Sequence, residues 1–133
     1  GRMLRSGNPK AAWYTPGVKH WLNALYIPAW MGAYKHRRDD HIHDCNIAIL
    51  LEYLVAVNGY NEAMTGWGHE DAELVARLRN YGCAQHTLKF AGFVFHIYHP
   101  YSSRESEPVN RSIWLAARDG RSIRCERGLD QYL

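Results

Sequence analysis

Two glycines bracketing a tryptophan, followed at once by two adjacent acids, constrain this chain more than any other stretch: Gly66-Trp67-Gly68-His69-Glu70-Asp71. The acids open a run in which Leu74, Leu78 and Tyr81 recur at helical spacing, with Val75 on the same apolar face. Gly82 follows where a left-handed residue closes a helix. The spacing therefore predicts a helix over 70–81. Glu70 and Asp71 fall in its first turn, where unpaired backbone N–H groups and the helix dipole favour carboxylates. A well-made helix N-terminus accounts for the acids. It does not account for Gly-Trp-Gly, because an aromatic between two conformationally free residues suits a mobile rim beside a carboxylate site.

At 133 residues the chain is long enough for one domain with a real core. A formal charge of +3 without a Lys/Arg block gives no footing for nucleic acid, so no nucleic-acid partner is expected. Five Trp and nine Tyr are many for this length; flat aromatic faces stack on sugar rings, and they also fill cores. Cys45, Cys83 and Cys125 show no CxxC spacing and cannot all pair, which fits buried free thiols in a reducing compartment. No run has the apolar length of a membrane span and no signal peptide stands at the start. A cytoplasmic location is expected, with peripheral contact at the inner face of the membrane left open through the aromatic residues 13–34.

Residues 1–37 read as an N-terminal, aromatic-rich lead: a basic, Gly/Pro-punctuated start, then a helix over 18–26. That helix is either buried or a docking face. Residues 38–133 read as one compact domain. Within 39–44, His41 and His43 alternate among Asp39, Asp40 and Asp44, as metal ligands on a strand would, and as residues of a solvated loop also do. The apolar run 49–57, stopped by Asn58-Gly59, predicts a buried helix. Residues 83–88 and 90–100 read as strands, the second broken at Pro100. A further helix starts at Pro108 and stops at Gly120, with Ile113, Leu115 and Ala116 facing inward.

The ordered run Asn58-Gly59-Tyr60 … Gly66-Trp67-Gly68-His69-Glu70-Asp71-Ala72-Glu73-Leu74 resembles the acceptor-side motif of GT-A-fold glycosyltransferases. It is similar to bacterial family 2 enzymes and to the C-terminal domain of the beta-1,4-galactosyltransferases, whose pattern reads roughly NGF-(x)n-GWGxED. With weaker similarity around Asp44-Cys45-Asn46 and Phe95-His96, the resemblance covers about residues 40–100. It implies an α+β fold, the C-terminal half of a GT-A enzyme, with helices around a small mixed sheet. It implies an inverting, metal-dependent hexosyltransferase that takes a sugar from a nucleotide-sugar donor, a UDP-sugar foremost, to a glycan acceptor in polysaccharide biosynthesis.

Residue by residue, the resemblance makes Asp71 the base. It sets Glu70 in the acceptor pocket, and Trp67 as a lid aromatic over acceptor ring and donor phosphates. Gly68 and His69 complete the substrate-binding turn. His96, with His99 as the alternative, would hold Mn²⁺ or Mg²⁺ in the full-length enzyme. Two departures stand out: Ala72 replaces a third acid, and His69 replaces a Gly of the galactosyltransferases while matching the bacterial set. The chain also contains no Asp-x-Asp metal motif and no strand–helix alternation ahead of residue 40. The expectation is an acceptor-side half that works with a nucleotide-binding half, lacking metal and activity by itself. The alternative is a non-catalytic carbohydrate-binding or scaffolding module acting with a partner.

Overall fold

The computed structural model describes residues 47–86, 100 and 102–133. All of these but His86 fall in one compact unit formed by Arg38–Gln85 and His96–Leu133. The elements within it are α1 (Leu51–Ala56), α2 (Glu70–Tyr81), α3 (Glu107–Asp119) and a closing 3-10 turn (Leu129–Tyr132). The aromatic-rich lead, the 39–44 cluster, His96 and His99 lie outside the described residues. Of the two predicted strands, 83–86 form none, and the remainder also falls outside, apart from Pro100.

The helix α2 starts and stops where its sequence predicts. Gly82 takes φ 102°, its N–H donates to the Arg79 carbonyl (3.0 Å), and the Cys83 N–H donates to the Leu78 carbonyl (2.9 Å). This pair of reversed bonds satisfies carbonyls that the last turn would otherwise leave open. Leu74 and Leu78 meet Val57 in the core, with Ile49, Leu54 and Cys83 packed around them. Tyr81 departs from the expected apolar face. It is 47% exposed and tilts against Tyr53 at the helix end.

The expected buried helix over 49–57 is instead a six-residue α1 with no buried residue inside it. Leu50 and Leu51 are 61% and 73% exposed, whereas Val57, just past the helix, is fully enclosed. Asn58 and Gly59 both take φ 68°, so the helix cannot continue and the chain turns sharply directly after Val57. In α3 the inward residues are Asn110 and Ala117, with Ile113, Trp114 and Leu115 half-buried; Ala116, expected inward, is exposed. Asn110 and Ala117 lie seven residues apart and so share one face. Helices α2 and α3 pack on each other, and Asn80 fastens the join by donating to the carbonyls of Ala117 (3.1 Å) and Ser122 (2.8 Å).

The C-terminal segment closes over the α1 exit. Asn58 donates to the Cys125 carbonyl and to Asp130 Oδ1, both at 3.0 Å, and accepts from the Asp130 N–H at 2.8 Å. Its carbonyl accepts from the Leu129 N–H at 2.9 Å. Gly128 is obligatory for this approach, since a Cβ there would overlap the Asn58 carbonyl oxygen and the Cys125 sulfur. The tail therefore positions Asn58-Gly59, and through them the entry to the loop that precedes α2.

Candidate active site at the start of the second helix

Asp71 lies in the first turn of α2 and is 6% exposed. Its Oδ1 accepts a 2.7 Å hydrogen bond from the Tyr60 hydroxyl. Tyr60 is itself placed by the Asn58-Gly59 turn, so two segments eleven residues apart meet at one carboxylate. An O–H donor on a carboxylate makes a charge-assisted bond that fixes its orientation. Glu70 turns the other way: its Oε2 accepts the Gly68 N–H at 2.7 Å, closing the loop back on the helix N-terminus. The two adjacent acids thus have separate tasks.

Trp67 sits on the loop and is 38% exposed, with the Arg104 guanidinium 4.9 Å above its ring centroid. The flanking glycines take φ 73° and 122°, in the region that favours glycine. They also permit close contact, because a Cβ on Gly66 would lie 2.6 Å from the Ser106 hydroxyl and one on Gly68 would lie 3.2 Å from Glu107 Cγ. His69 caps α2 with φ 65° and makes no side-chain cap bond. A non-glycine residue in that region costs roughly 1–2 kcal/mol. Its imidazole stacks on Trp114, ring centroids 5.0 Å apart and planes 3° from parallel, and its Nε2 lies 3.2 Å from Glu107 Oε1.

Of the residues the sequence singles out, Trp67, Gly68, His69, Glu70 and Asp71 are brought together on one loop and helix start. His96 and His99 lie outside the described residues, so the predicted metal ligands are not placed. Among the described residues no three His, Cys, Asp or Glu side chains gather as a cation site would need. No helix among them is long and apolar enough to cross a membrane.

Sequence reading missed the support beneath the site. Arg77 and Glu73 are both enclosed, and the guanidinium binds the carboxylate through Nε (2.9 Å) and Nη2 (2.7 Å). Arg77 also donates to the carbonyls of Val57 and Gly59, and Glu73 accepts from Asn61 at 3.1 Å. The signal was the i,i+4 spacing of acid and base, which a solvated helix face produces just as readily. Tyr60 stood in the motif run without a role, and Glu107 and Trp114 carried no signal that would separate them from other surface and core residues.

A family model described as the N-terminal domain of galactosyltransferase matches residues 33–100, about half of the chain. The match takes in Tyr60, the loop and α2, and ends before α3. Comparison with curated proteins and with solved structures finds no match.

Proposed function

The chain belongs to the family described as the N-terminal domain of galactosyltransferase, and from that premise we propose that it forms the acceptor side of an inverting hexosyltransferase. The donor is a nucleotide-sugar, a UDP-sugar foremost, and the acceptor is a glycan. Family membership supports glycosyl transfer. The acceptor-side placement, in the C-terminal half of a GT-A enzyme, rests on the order of the motif residues between Asn58 and Leu74, although the family's description names an N-terminal domain.

The observation that carries the reading is the enclosed Asp71 carboxylate, held by Tyr60 at the start of α2, four residues after an exposed tryptophan on the preceding loop. In the proposed reaction an acceptor hydroxyl attacks the anomeric carbon of the donor from the face opposite the nucleotide. Asp71 takes the hydroxyl proton as the new C–O bond forms, and the bond to the nucleoside diphosphate breaks, its electron pair leaving with the phosphate. Trp67 covers the sugars and keeps out water, which would compete as acceptor. Glu70 holds the turn that shapes the pocket. A divalent cation, Mn²⁺ or Mg²⁺, would neutralise the leaving diphosphate. No cluster of three His, Cys, Asp or Glu ligands stands among the described residues; in this reading His96, or His99, would contribute with a separate nucleotide-binding half, and the His41/His43 cluster is the next candidate. The free thiols of Cys83 and Cys125 are compatible with a reducing, cytoplasmic setting.

The test is Asp71→Asn in the full-length enzyme. The amide keeps the shape and can still accept from Tyr60, but cannot take the proton. The expected result is a fall in kcat of about three orders of magnitude or more with unchanged unfolding midpoint. Near-normal turnover removes Asp71 as the base. Glycan binding with no transfer by the wild-type enzyme would favour a non-catalytic carbohydrate-binding module instead.

A further inference from the structure

Each residue from Thr65 to His69 meets the segment 104–114. The Thr65 carbonyl accepts from Asn110 Nδ2 at 3.2 Å. Gly66 and Gly68 lie against Ser106 and Glu107, where a Cβ would overlap the Ser106 hydroxyl and crowd the Glu107 side chain. The Trp67 ring carries Arg104, and His69 engages both Glu107 and Trp114. The contact is continuous over five residues and involves one partner segment. That segment lies beyond the 33–100 family match.

The position of His69 gives these contacts their consequence. It is the N-cap of α2, two residues before Asp71, and its backbone is left-handed. A cap residue ordinarily turns its side chain onto the open N–H groups of its own helix. His69 instead directs its ring to α3, stacked flat on Trp114 and bonded at Nε2 to the Glu107 carboxylate. A carboxylate accepts, so Nε2 is the donor. The His69 carbonyl meanwhile accepts the Glu73 N–H at 2.9 Å, and the Gly68 N–H is held by Glu70. The dihedrals that aim the first turn of α2 are thus set by a ring clamped from another helix.

We propose that Glu107 and Trp114 are positioning residues: through His69 they fix the N-terminus of α2, so that the Asp71 carboxylate and the Trp67 loop hold one arrangement before substrate arrives. This rests on the reading of Asp71 as the base. A change at His69 that displaces the Asp71 carboxylate by about an ångström is misplacement on the scale that lowers turnover about 100-fold. Binding of a donor by other groups would be little affected.

Two measurements test it. In the 133-residue chain, amide hydrogen exchange is followed at Gly68 and Glu73, with Gly82 and Cys83 at the far end of α2 as internal controls. Trp114→Leu and Glu107→Ala should speed exchange at Gly68 and Glu73 about tenfold or more and leave the controls unchanged, and Trp114→Leu should also shift the His69 ring protons as the indole ring current is lost. In the full-length enzyme, Glu107→Ala and His69→Asn, the latter tolerant of a left-handed backbone but too short to reach α3, should lower kcat about 10- to 100-fold. The fall in kcat should exceed any rise in the donor KM, because Asp71 acts in the transition state whereas Trp67 also covers the bound donor. Glu107→Gln, which keeps an acceptor oxygen, should recover most of the rate. Unchanged exchange at Gly68 and Glu73, or unchanged kcat once the clamp is broken, overturns the proposal. Altered exchange together with no transfer by the wild-type enzyme would leave the clamp standing and remove the assignment of Asp71.

Discussion

Arg77 grips Glu73 with two hydrogen bonds, at 2.9 and 2.7 Å, while neither side chain has measurable contact with solvent. The same guanidinium reaches the carbonyls of Val57 and Gly59, so one cation joins α2 to the exit of α1. Burying two charges carries a large desolvation penalty, which their attraction offsets only where the remaining donors and acceptors are also satisfied. Here they are: no buried side-chain nitrogen or oxygen among the described residues lacks a partner.

Removing one partner should therefore be severe. Arg77→Met leaves the Glu73 carboxylate with Asn61 and strips the Val57 and Gly59 carbonyls of their donor. Urea unfolding should show a loss of about 3–5 kcal/mol. Glu73→Leu combined with Arg77→Met should cost less than the two single changes added together, since no orphaned charge remains. A loss below about 1 kcal/mol for Arg77→Met would mean that the pair behaves as a surface salt bridge.

Tyr60→Phe isolates the hydroxyl that holds Asp71. A hydrogen bond to a charged group is worth about 1.5–3 kcal/mol, so kcat/KM of the full-length enzyme should fall about 10- to 100-fold. The phenyl ring retains the packing, but the enclosed Asp71 carboxylate loses a donor, so urea unfolding should also show a loss of about 1–3 kcal/mol. Unaltered kcat/KM would show that the carboxylate is oriented without Tyr60.

Cys125 supplies a pH dependence with a definite sign. Its thiol is buried against the Asn58 carbonyl, and desolvation pushes its pKa up, with Arg77 opposing. The folded state therefore keeps the proton at a pH where the unfolded chain has lost it. Its contribution is fully present below the ordinary thiol value of about 8.5 and is lost as pH rises beyond it. Cys83 shifts the same way through burial. The urea midpoint should fall between pH 7.5 and 9.5, and Cys125→Ala should reduce that fall; an equal fall in the variant would assign it to other groups, such as Tyr132, whose phenol is raised by Glu62.

Turn chemistry and helical periodicity determined, from residues alone, where α2 begins and ends, that Asn58-Gly59 stops α1, and that α3 runs between the Glu107-Pro108 start and Gly120. These signals act within one or two turns of chain, so they need no knowledge of what packs alongside. The grouping of Trp67, Gly68, His69, Glu70 and Asp71 was equally legible, because they are consecutive. Tertiary packing alone decided that Tyr60 binds Asp71, that Tyr81 faces water and Arg77 does not, and that the flanking glycines serve close approach to Ser106 and Glu107. Each depends on a partner from another segment, at separations from 11 to 38 residues in the case of Tyr60–Asp71 and His69–Glu107. A side chain's burial is set by the surface brought against it, and the arginine that periodicity would leave in solvent becomes the centre of the fold once two backbone carbonyls and a carboxylate converge on it.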